Sequence, residues 1–113
     1  MLYQTVLDKI NKIRIEFNLE SLKDLPKGKR ESSNSCPIAT ALKELDEDIE
    51  VNPDNIQFYT LSLKDKQKIA QLMGDDYWSE DRDFVALTSD ISGFIQEFDE
   101  GWIPEYDINS GEF

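Results

Sequence analysis

Apolar residues recur at three- and four-residue spacing along much of this chain, and this periodicity constrains the fold more than any other feature. The spacing predicts a first amphipathic helix over residues 2–18. Its apolar face is formed by Leu2, Val6, Ile10, Ile13 and Phe17. Residues 19–35 then contain Pro26, Gly28 and several serines, a composition that indicates a long loop.

A second helix is predicted over residues 36–46. Ser35 is placed to cap its first turn, and Pro37 suits that turn because a proline lacks the N–H that would find no partner there. The buried face is predicted to consist of Ile38, Ala41, Leu42 and Leu45. A short helix therefore follows the long loop.

The periodicity changes between residues 49 and 61. Ile49 and Val51 alternate with acidic residues, residues 52–55 read Asn-Pro-Asp-Asn, and a β-branched and aromatic stretch follows. This pattern predicts a short β-hairpin, or one strand with an extended segment before it. A third helix is predicted to start at Leu63, with Ser62 as its cap, and to end at Gly74.

A fourth helix is predicted after an acidic loop, with Ser79 as its cap and Gly101 after its end. Its apolar face comprises Phe84, Leu87, Ile91, Phe94, Ile95 and Phe98. Gly93 interrupts this helix and indicates a close helix crossing. The segment that follows is expected to dock on the core through Trp102, Ile103 and Tyr106.

Together these patterns predict one compact domain over residues 1–113, with an α+β fold that is mostly helical, about four helices surrounding a short β-hairpin. The chain has one cysteine, which cannot form an internal disulfide and therefore indicates a reducing compartment. It also has no histidine, so the common His-based catalytic pairs and zinc sites are excluded. No cofactor and no metal are predicted.

The charge is strongly acidic and unevenly distributed. The chain has 24 Asp and Glu against 12 Lys and Arg, a net charge of −12. Residues 1–30 carry seven bases and four acids, whereas residues 75–113 carry 12 acids and one base, Arg82. Such a charge repels nucleic acid and anionic membranes and attracts basic proteins. We therefore predict neither direct nucleic-acid binding nor membrane association.

The candidate site comes from the acidic segment at residues 75–83 and the start of the fourth helix. Carboxylates accept charge-assisted hydrogen bonds from Arg and Lys, as phosphates do, so an acidic surface can occupy a basic site built for nucleic acid. Aromatic side chains beside charge are typical anchors of protein interfaces. The residues predicted to bind the partner are Asp75, Asp76, Tyr77, Trp78, Glu80, Asp81, Asp83 and Asp90.

Several other readings of the same residues stay open. The acidic runs at residues 44–50 and 74–83 could bind Ca²⁺ or form a carboxylate-dependent active site, but neither run has the EF-hand spacing. Lys27, Lys29 and Arg30 could bind an anion beside the second helix. Cys36 could act as a thiolate at a helix start, although packing is the simpler role. The acids could also only solvate a homodimer or a larger assembly.

Two motifs resemble a pattern in small uncharacterised proteins of phages and prophages. The stretch NSCPIATAL at residues 34–42 is similar to an N-x-C-P-I-A-x-A-L motif, and FIQEFDEGWIPEYD at residues 94–107 is similar to F-[IV]-x-x-F-D-x-G-x-x-P. The resemblance covers about a fifth of the chain and implies no catalytic residue. It implies a phage or mobile-element accessory protein, a class whose small acidic members often bind host proteins.

We therefore expect a non-enzymatic binding protein that acts in the cytoplasm of a host cell. Its acidic half is expected to engage a basic, nucleic-acid-binding site of a host defence protein, in the manner of DNA mimics and anti-CRISPR proteins. The start of the chain lacks the basic and unbroken apolar regions of a signal peptide, which agrees with a cytoplasmic location. The alternatives are a self-assembling phage component and a small carboxylate- or metal-dependent enzyme.

Overall fold

In residues 2–82 and 84–109, which the computed structural model describes, four helices and one three-stranded antiparallel sheet build an α+β fold. The helices are α1 (Leu2–Glu16), α2 (Pro37–Leu42), α3 (Leu63–Met73) and α4 (Ser89–Asp99). The strands are β1 (Glu50–Val51), β2 (Asn55–Gln57) and β3 (Phe84–Ala86), and a 3₁₀ turn spans Pro104–Tyr106. The predicted fold class is confirmed, with one strand more than the predicted hairpin.

Helix α1 supplies one wall of the core. Val6, Ile10 and Ile13 are completely buried, as their spacing predicts. The helix contacts α2, α3 and α4. Arg14 is also buried, and its guanidinium donates hydrogen bonds to the carbonyls of Glu20 and Ala41 at 2.7 Å each. This arginine ties the loop after α1 to the end of α2.

Helix α2 is shorter than predicted and begins one residue later. Its N-cap is Cys36, whose Sγ accepts from the N–H of Ala39 at 3.5 Å, so the prediction of Ser35 as the cap is wrong. The Ser35 hydroxyl instead lies 3.1 Å from Oδ1 of Asn34. The helix ends at Leu42 rather than 46, and a turn in which the N–H of Leu45 donates to the carbonyl of Leu42 leads to the buried Asp46.

Helix α3 has the boundaries that its capping residues predict. The Ser62 hydroxyl accepts from the N–H of Asp65 at 3.2 Å. At the other end Gly74 has a φ of +84°, in the left-handed region that favours glycine. The chain therefore leaves α3 abruptly and enters the acidic loop.

The segment predicted to begin the fourth helix is instead strand β3, and Ser79 is not a helix cap. Its register with β2 pairs Gln57 with Phe84, Ile56 with Val85, and Asn55 with Ala86. The third strand satisfies the outer edge of β2, which a two-stranded hairpin would leave unpaired. Helix α4 then starts at Ser89, with Thr88 at the N-cap position.

Four of the six residues predicted for the apolar face of α4 lie on it, whereas the prediction is wrong for Phe84, which belongs to β3, and for Leu87, which precedes the helix. Ile91, Phe94 and Phe98 are buried in the core. A Cβ at Gly93 would meet no heavy atom within 4 Å, so the prediction of a close helix crossing there is wrong. This glycine lies against open space.

The segment after α4 docks through two of its three predicted residues. Ile103 and Tyr106 are buried, and the Tyr106 ring packs edge-on against Phe94 with centroids 5.8 Å apart. Trp102, in contrast, is 70% exposed, so its predicted docking is wrong. Gly101, with a φ of +82°, ends the turn after α4 and places Ile103 rather than Trp102 on the core.

The buried apolar residues of all four helices and all three strands form one contiguous cluster. Among residues 2–82 and 84–109, none of the helices has the length and apolar character that a membrane span requires.

Candidate partner-binding surface

The acidic loop at residues 75–82 connects α3 to the edge strand β3. Its first residue, Asp75, has a side chain that is only 1% exposed. One carboxylate oxygen accepts from Arg82 and from the backbone N–H of Ala86, both at 2.9 Å, and the other accepts from the N–H of Tyr77 at 3.1 Å. Asp75 therefore fastens the loop to β3, and its carboxylate does not reach the surface.

Arg82 is the only base of residues 75–113, and the structure largely neutralises it. Besides its ion pair with Asp75, it donates from Nη1 to the carbonyl of Tyr77 at 2.7 Å. Its guanidinium carbon also lies 4.6 Å from the ring centroid of Phe84. Arg82 consequently holds the loop against β3, and its charge is paired with Asp75 rather than with the exposed acids of the loop.

Five residues of the loop are exposed, and four of them, the three acids and the tyrosine, form what we call the loop surface. Its members are Asp76, Tyr77, Glu80 and Asp81. Tyr77 is 86% exposed, more than any other large hydrophobic side chain among the described residues. Within residues 2–82 and 84–109, none of the three carboxylates forms an ion pair. The loop surface therefore combines free negative charge with a projecting aromatic ring.

Trp78 lies under the loop surface and not on it. It is half-buried and packs against the core. Its indole Nε1 is buried and has no hydrogen-bond partner within the described part of the chain. The ring lines a groove of about 330 Å³ beside Gln67 and Gln71 of α3. Trp78 therefore fixes the position of the loop, and an exposed anchor role falls to Tyr77 alone.

The last two predicted residues do not join the loop surface. Asp90 forms an ion pair with Lys9 of α1 at 3.2 Å and accepts from the Thr88 hydroxyl. Burial opposes its ionisation, but these two partners outweigh burial and lower the pKa of Asp90. Asp83 lies outside the described residues.

A second acidic cluster lies at the other edge of the sheet, in the run that the sequence marks only as a candidate cation site. Glu47, Asp48 and Glu50 line a groove of about 470 Å³ together with Tyr59. The Tyr59 hydroxyl lies 2.7 Å from Oε1 of Glu50. We call these four residues the groove cluster. The alternation of Glu50 with the apolar Ile49 and Val51 is the sequence signal that could have placed it on the surface.

A metal site is not supported at either acidic cluster. Among residues 2–82 and 84–109, no group of three or more His, Cys, Asp or Glu side chains is arranged to hold a metal ion. In the run at residues 44–50, Asp46 is turned away from the others and buried against backbone N–H groups. Of this run, Asp46 therefore lies in the core, whereas Glu47, Asp48 and Glu50 line the groove at the surface.

The basic loop and the cysteine both pack against the start of α2. Gly28 lies against the start of α2, since a Cβ added to it would come within 2.5 Å of Cys36 and Pro37 backbone atoms. The backbone of the loop therefore covers the end of the helix where an anion would bind, and Arg30 is paired with Asp107 at 3.4 Å. Burial raises the pKa of the Cys36 thiol to about 11, which disfavours a thiolate nucleophile.

Comparison of the chain with family models, with curated proteins and with solved structures finds no match.

Proposed function

We propose that this protein is a non-enzymatic inhibitor or adaptor that binds a basic protein through its loop surface. The partner class is a host protein with a nucleic-acid-binding site, and the acidic chain occupies that site in place of the phosphate backbone. The resemblance of residues 34–42 and 94–107 to phage and prophage proteins supports a mobile-element origin, and with it a defence protein as the target. The proposed place of action is the cytoplasm of the host cell.

The observation that carries this proposal is the contrast between Asp75 and its neighbours. One buried carboxylate holds the loop in a defined conformation, while three exposed carboxylates next to it have no cationic partner among the described residues. A surface that is already ordered loses less conformational entropy on binding. Unpaired acids attract a basic partner from a distance and can then form charge-assisted hydrogen bonds with its Arg and Lys side chains.

Tyr77 adds a contact that charge alone does not supply. A tyrosine that is 86% exposed beside unpaired carboxylates has the amphipathic character of an interface anchor. A nucleic-acid-binding site commonly contains Arg side chains, whose planar guanidinium groups stack on aromatic rings. The loop surface therefore offers such a site both charge and stacking.

The test is capture from a bacterial host lysate at low salt, followed by elution along a salt gradient. The binding variant reverses the three surface acids, Asp76→Lys, Glu80→Lys and Asp81→Lys. The control variant makes the same change in charge at exposed acids outside the loop, Asp8→Lys, Glu20→Lys and Glu105→Lys. Circular dichroism establishes that both variants remain folded.

We expect the unmodified protein to retain one basic nucleic-acid-binding protein that elutes at moderate salt. The loop variant is expected to lose this protein completely, and the control variant to retain it with weaker binding. Equal capture by the loop variant and the unmodified protein would refute the loop surface as the binding site. Equal loss in both variants would show that only net charge matters, and would refute a defined site.

A further inference from the structure

The sheet has one buried face and one face that remains partly exposed. Val51, Ile56 and Val85 form a cross-strand row and are all buried. The adjacent row, Glu50, Gln57 and Phe84, points to the opposite face because side chains alternate along a strand. All three residues of this second row are accessible to solvent.

Aromatic and polar side chains cover this accessible face from one edge to the other. At the β1 edge, the Tyr59 hydroxyl lies within hydrogen-bond distance of both Glu50 and Gln57, and the ring is 53% exposed. At the β3 edge, Arg82 stacks on Phe84. The face is therefore not a bare polar surface, since it presents two accessible rings and one cation stacked on a ring.

The two acidic sets adjoin the two edge strands of the sheet, β1 and β3. The groove cluster reaches the face through Glu50, which belongs to β1. The loop surface reaches it through Arg82, which contacts Phe84 of β3 and the Tyr77 carbonyl. Tyr59 thus links Glu50 to Gln57, the strand register places Gln57 opposite Phe84, and Arg82 links Phe84 to the acidic loop.

We propose that the groove cluster, the exposed face of the sheet and the loop surface form one binding surface, which fits a cationic helix of a partner protein. This proposal rests on the proposed function and extends its site across the sheet. Neighbouring strands are about 4.8 Å apart, so β1 and β3 are separated by about 10 Å. An α-helix with its side chains is about 10–12 Å wide. A helix with Arg or Lys along both sides can therefore lie on the face and reach the acids at both edges.

The distribution of charge also selects the occupant. A second copy of this chain would bring acidic clusters against acidic clusters, which is unfavourable for a protein with a net charge of −12. Besides Arg82, which is paired with Asp75, a second base, Lys66 of α3, lines the face beside Gln57 and Tyr59. Lys66 repels a cationic helix, so removal of its charge should strengthen binding by that helix and should not affect binding at the loop alone.

The experiment uses a synthetic 20-residue alanine-rich peptide with arginines along two sides of the helix. A peptide of the same composition with all of its arginines on one side is the matched ligand control. Binding is measured by calorimetry at about 0.1 M salt, where the Debye length is about 10 Å. The contacted residues are identified from changes in the amide NMR spectrum of the whole chain.

The groove variant is Glu47→Gln with Asp48→Asn, and its control is Glu105→Gln with Asp8→Asn, which removes the same charge from exposed sites outside the sheet. We expect the groove variant to weaken binding only about fivefold to tenfold, because it removes two exposed ion pairs with the peptide and each such pair contributes little. The control removes no ion pair with the peptide and is expected to weaken binding less than twofold. Tyr59→Ala, which removes no charge, is expected to weaken binding about threefold. Lys66→Gln is expected to tighten it about twofold, and the one-sided peptide is expected to bind more weakly.

Under this proposal, amides of residues 47–50, 57–59, 76–82 and 84–86 shift together along one binding curve. Shifts confined to the loop, with no effect of the groove variant, would overturn the extended surface and leave the proposed function standing. Equal weakening by the groove variant and its control would likewise overturn only the extended surface, whereas the absence of shifts at both edges would overturn both proposals. Dimerisation of the free protein through the sheet face would also overturn the proposal.

Discussion

Replacement of Asp46 by asparagine is expected to destabilise the protein strongly, although the two side chains have nearly the same shape. Asp46 is 1% exposed and lies between α2 and β1. One of its carboxylate oxygens accepts from the N–H of Tyr59 at 2.6 Å and from the N–H of Thr60 at 2.9 Å. The other accepts from the N–H of Asp48 at 3.1 Å. This one carboxylate therefore closes the turn after α2 and fixes the segment that follows β2.

The magnitude follows from these three bonds. A hydrogen bond to a charged group contributes about 1.5–3 kcal/mol, and one between neutral groups about 0.5–1.5 kcal/mol. In its best orientation, the new asparagine keeps two neutral bonds through its carbonyl and directs its amide at the N–H of Asp48, where two donors face each other. Since burial of the charge opposes part of the original gain, we expect the free energy of unfolding to fall by about 3 kcal/mol.

The assay is urea denaturation followed by tryptophan fluorescence, with Asp48→Asn as a control whose side chain is exposed. Burial alone would raise the pKa of Asp46, but the N–H groups of Thr60, Tyr59 and Asp48 lower it below the usual value near 3.8. The stability that Asp46 supplies is therefore present above that value and is lost as the pH falls through the lowered folded-state pKa. The difference between the variant and the native protein should be full at pH 7 and should shrink in acid.

A loss below about 1 kcal/mol at pH 7 would contradict this reasoning, because three bonds to a buried charge could not then be in place. A difference that stays constant into strong acid would contradict the assignment of the effect to the ionised carboxylate.

Two further predictions concern the region where the basic loop meets α2. Gly28→Ala should lower the free energy of unfolding by about 2 kcal/mol or more, as overpacking a core does, because the new methyl group would lie 2.5 Å from backbone atoms. The control Gly93→Ala adds a methyl group to open space within α4. It should raise the free energy of unfolding by about 0.5–1 kcal/mol. The Cys36 thiol, with its pKa near 11, should react with a disulfide reagent at pH 8 about a hundred times more slowly than in the urea-unfolded chain. Rapid reaction of the folded protein would refute the burial of this thiol.

The elements that the sequence predicts well are those whose signals are local. Helix α1 follows from its apolar spacing, and α3 follows from Ser62 and Gly74, since a cap and a left-handed residue act within one turn. Strand β3 could not be recognised in this way. Phe84 and Leu87 fit a helical face equally well, and only the outer edge of β2, about thirty residues away, makes the strand favourable.

The candidate site shows the same division between local and distant effects. Charge counting locates an acidic segment but cannot separate Asp75, which pairs with Arg82 and Ala86, from Asp76, which faces solvent. Asp90 is likewise paired with a lysine 81 residues away in the chain. The groove cluster and the loop surface adjoin opposite edges of one sheet, and only the pairing of three strands that are distant in the chain relates them in space.

If the acidic surface occupies a nucleic-acid-binding site of its partner, nucleic acid and this protein must exclude each other from that site. The most direct measurement is competition, with the captured partner immobilised, this protein bound to it, and duplex DNA added at increasing concentration. We expect duplex to displace the protein, and partner already saturated with duplex to bind none of it. We also expect the variant with Asp76, Glu80 and Asp81 reversed to Lys not to compete with duplex at all. Simultaneous binding of the protein and the duplex to one partner molecule would contradict the claim.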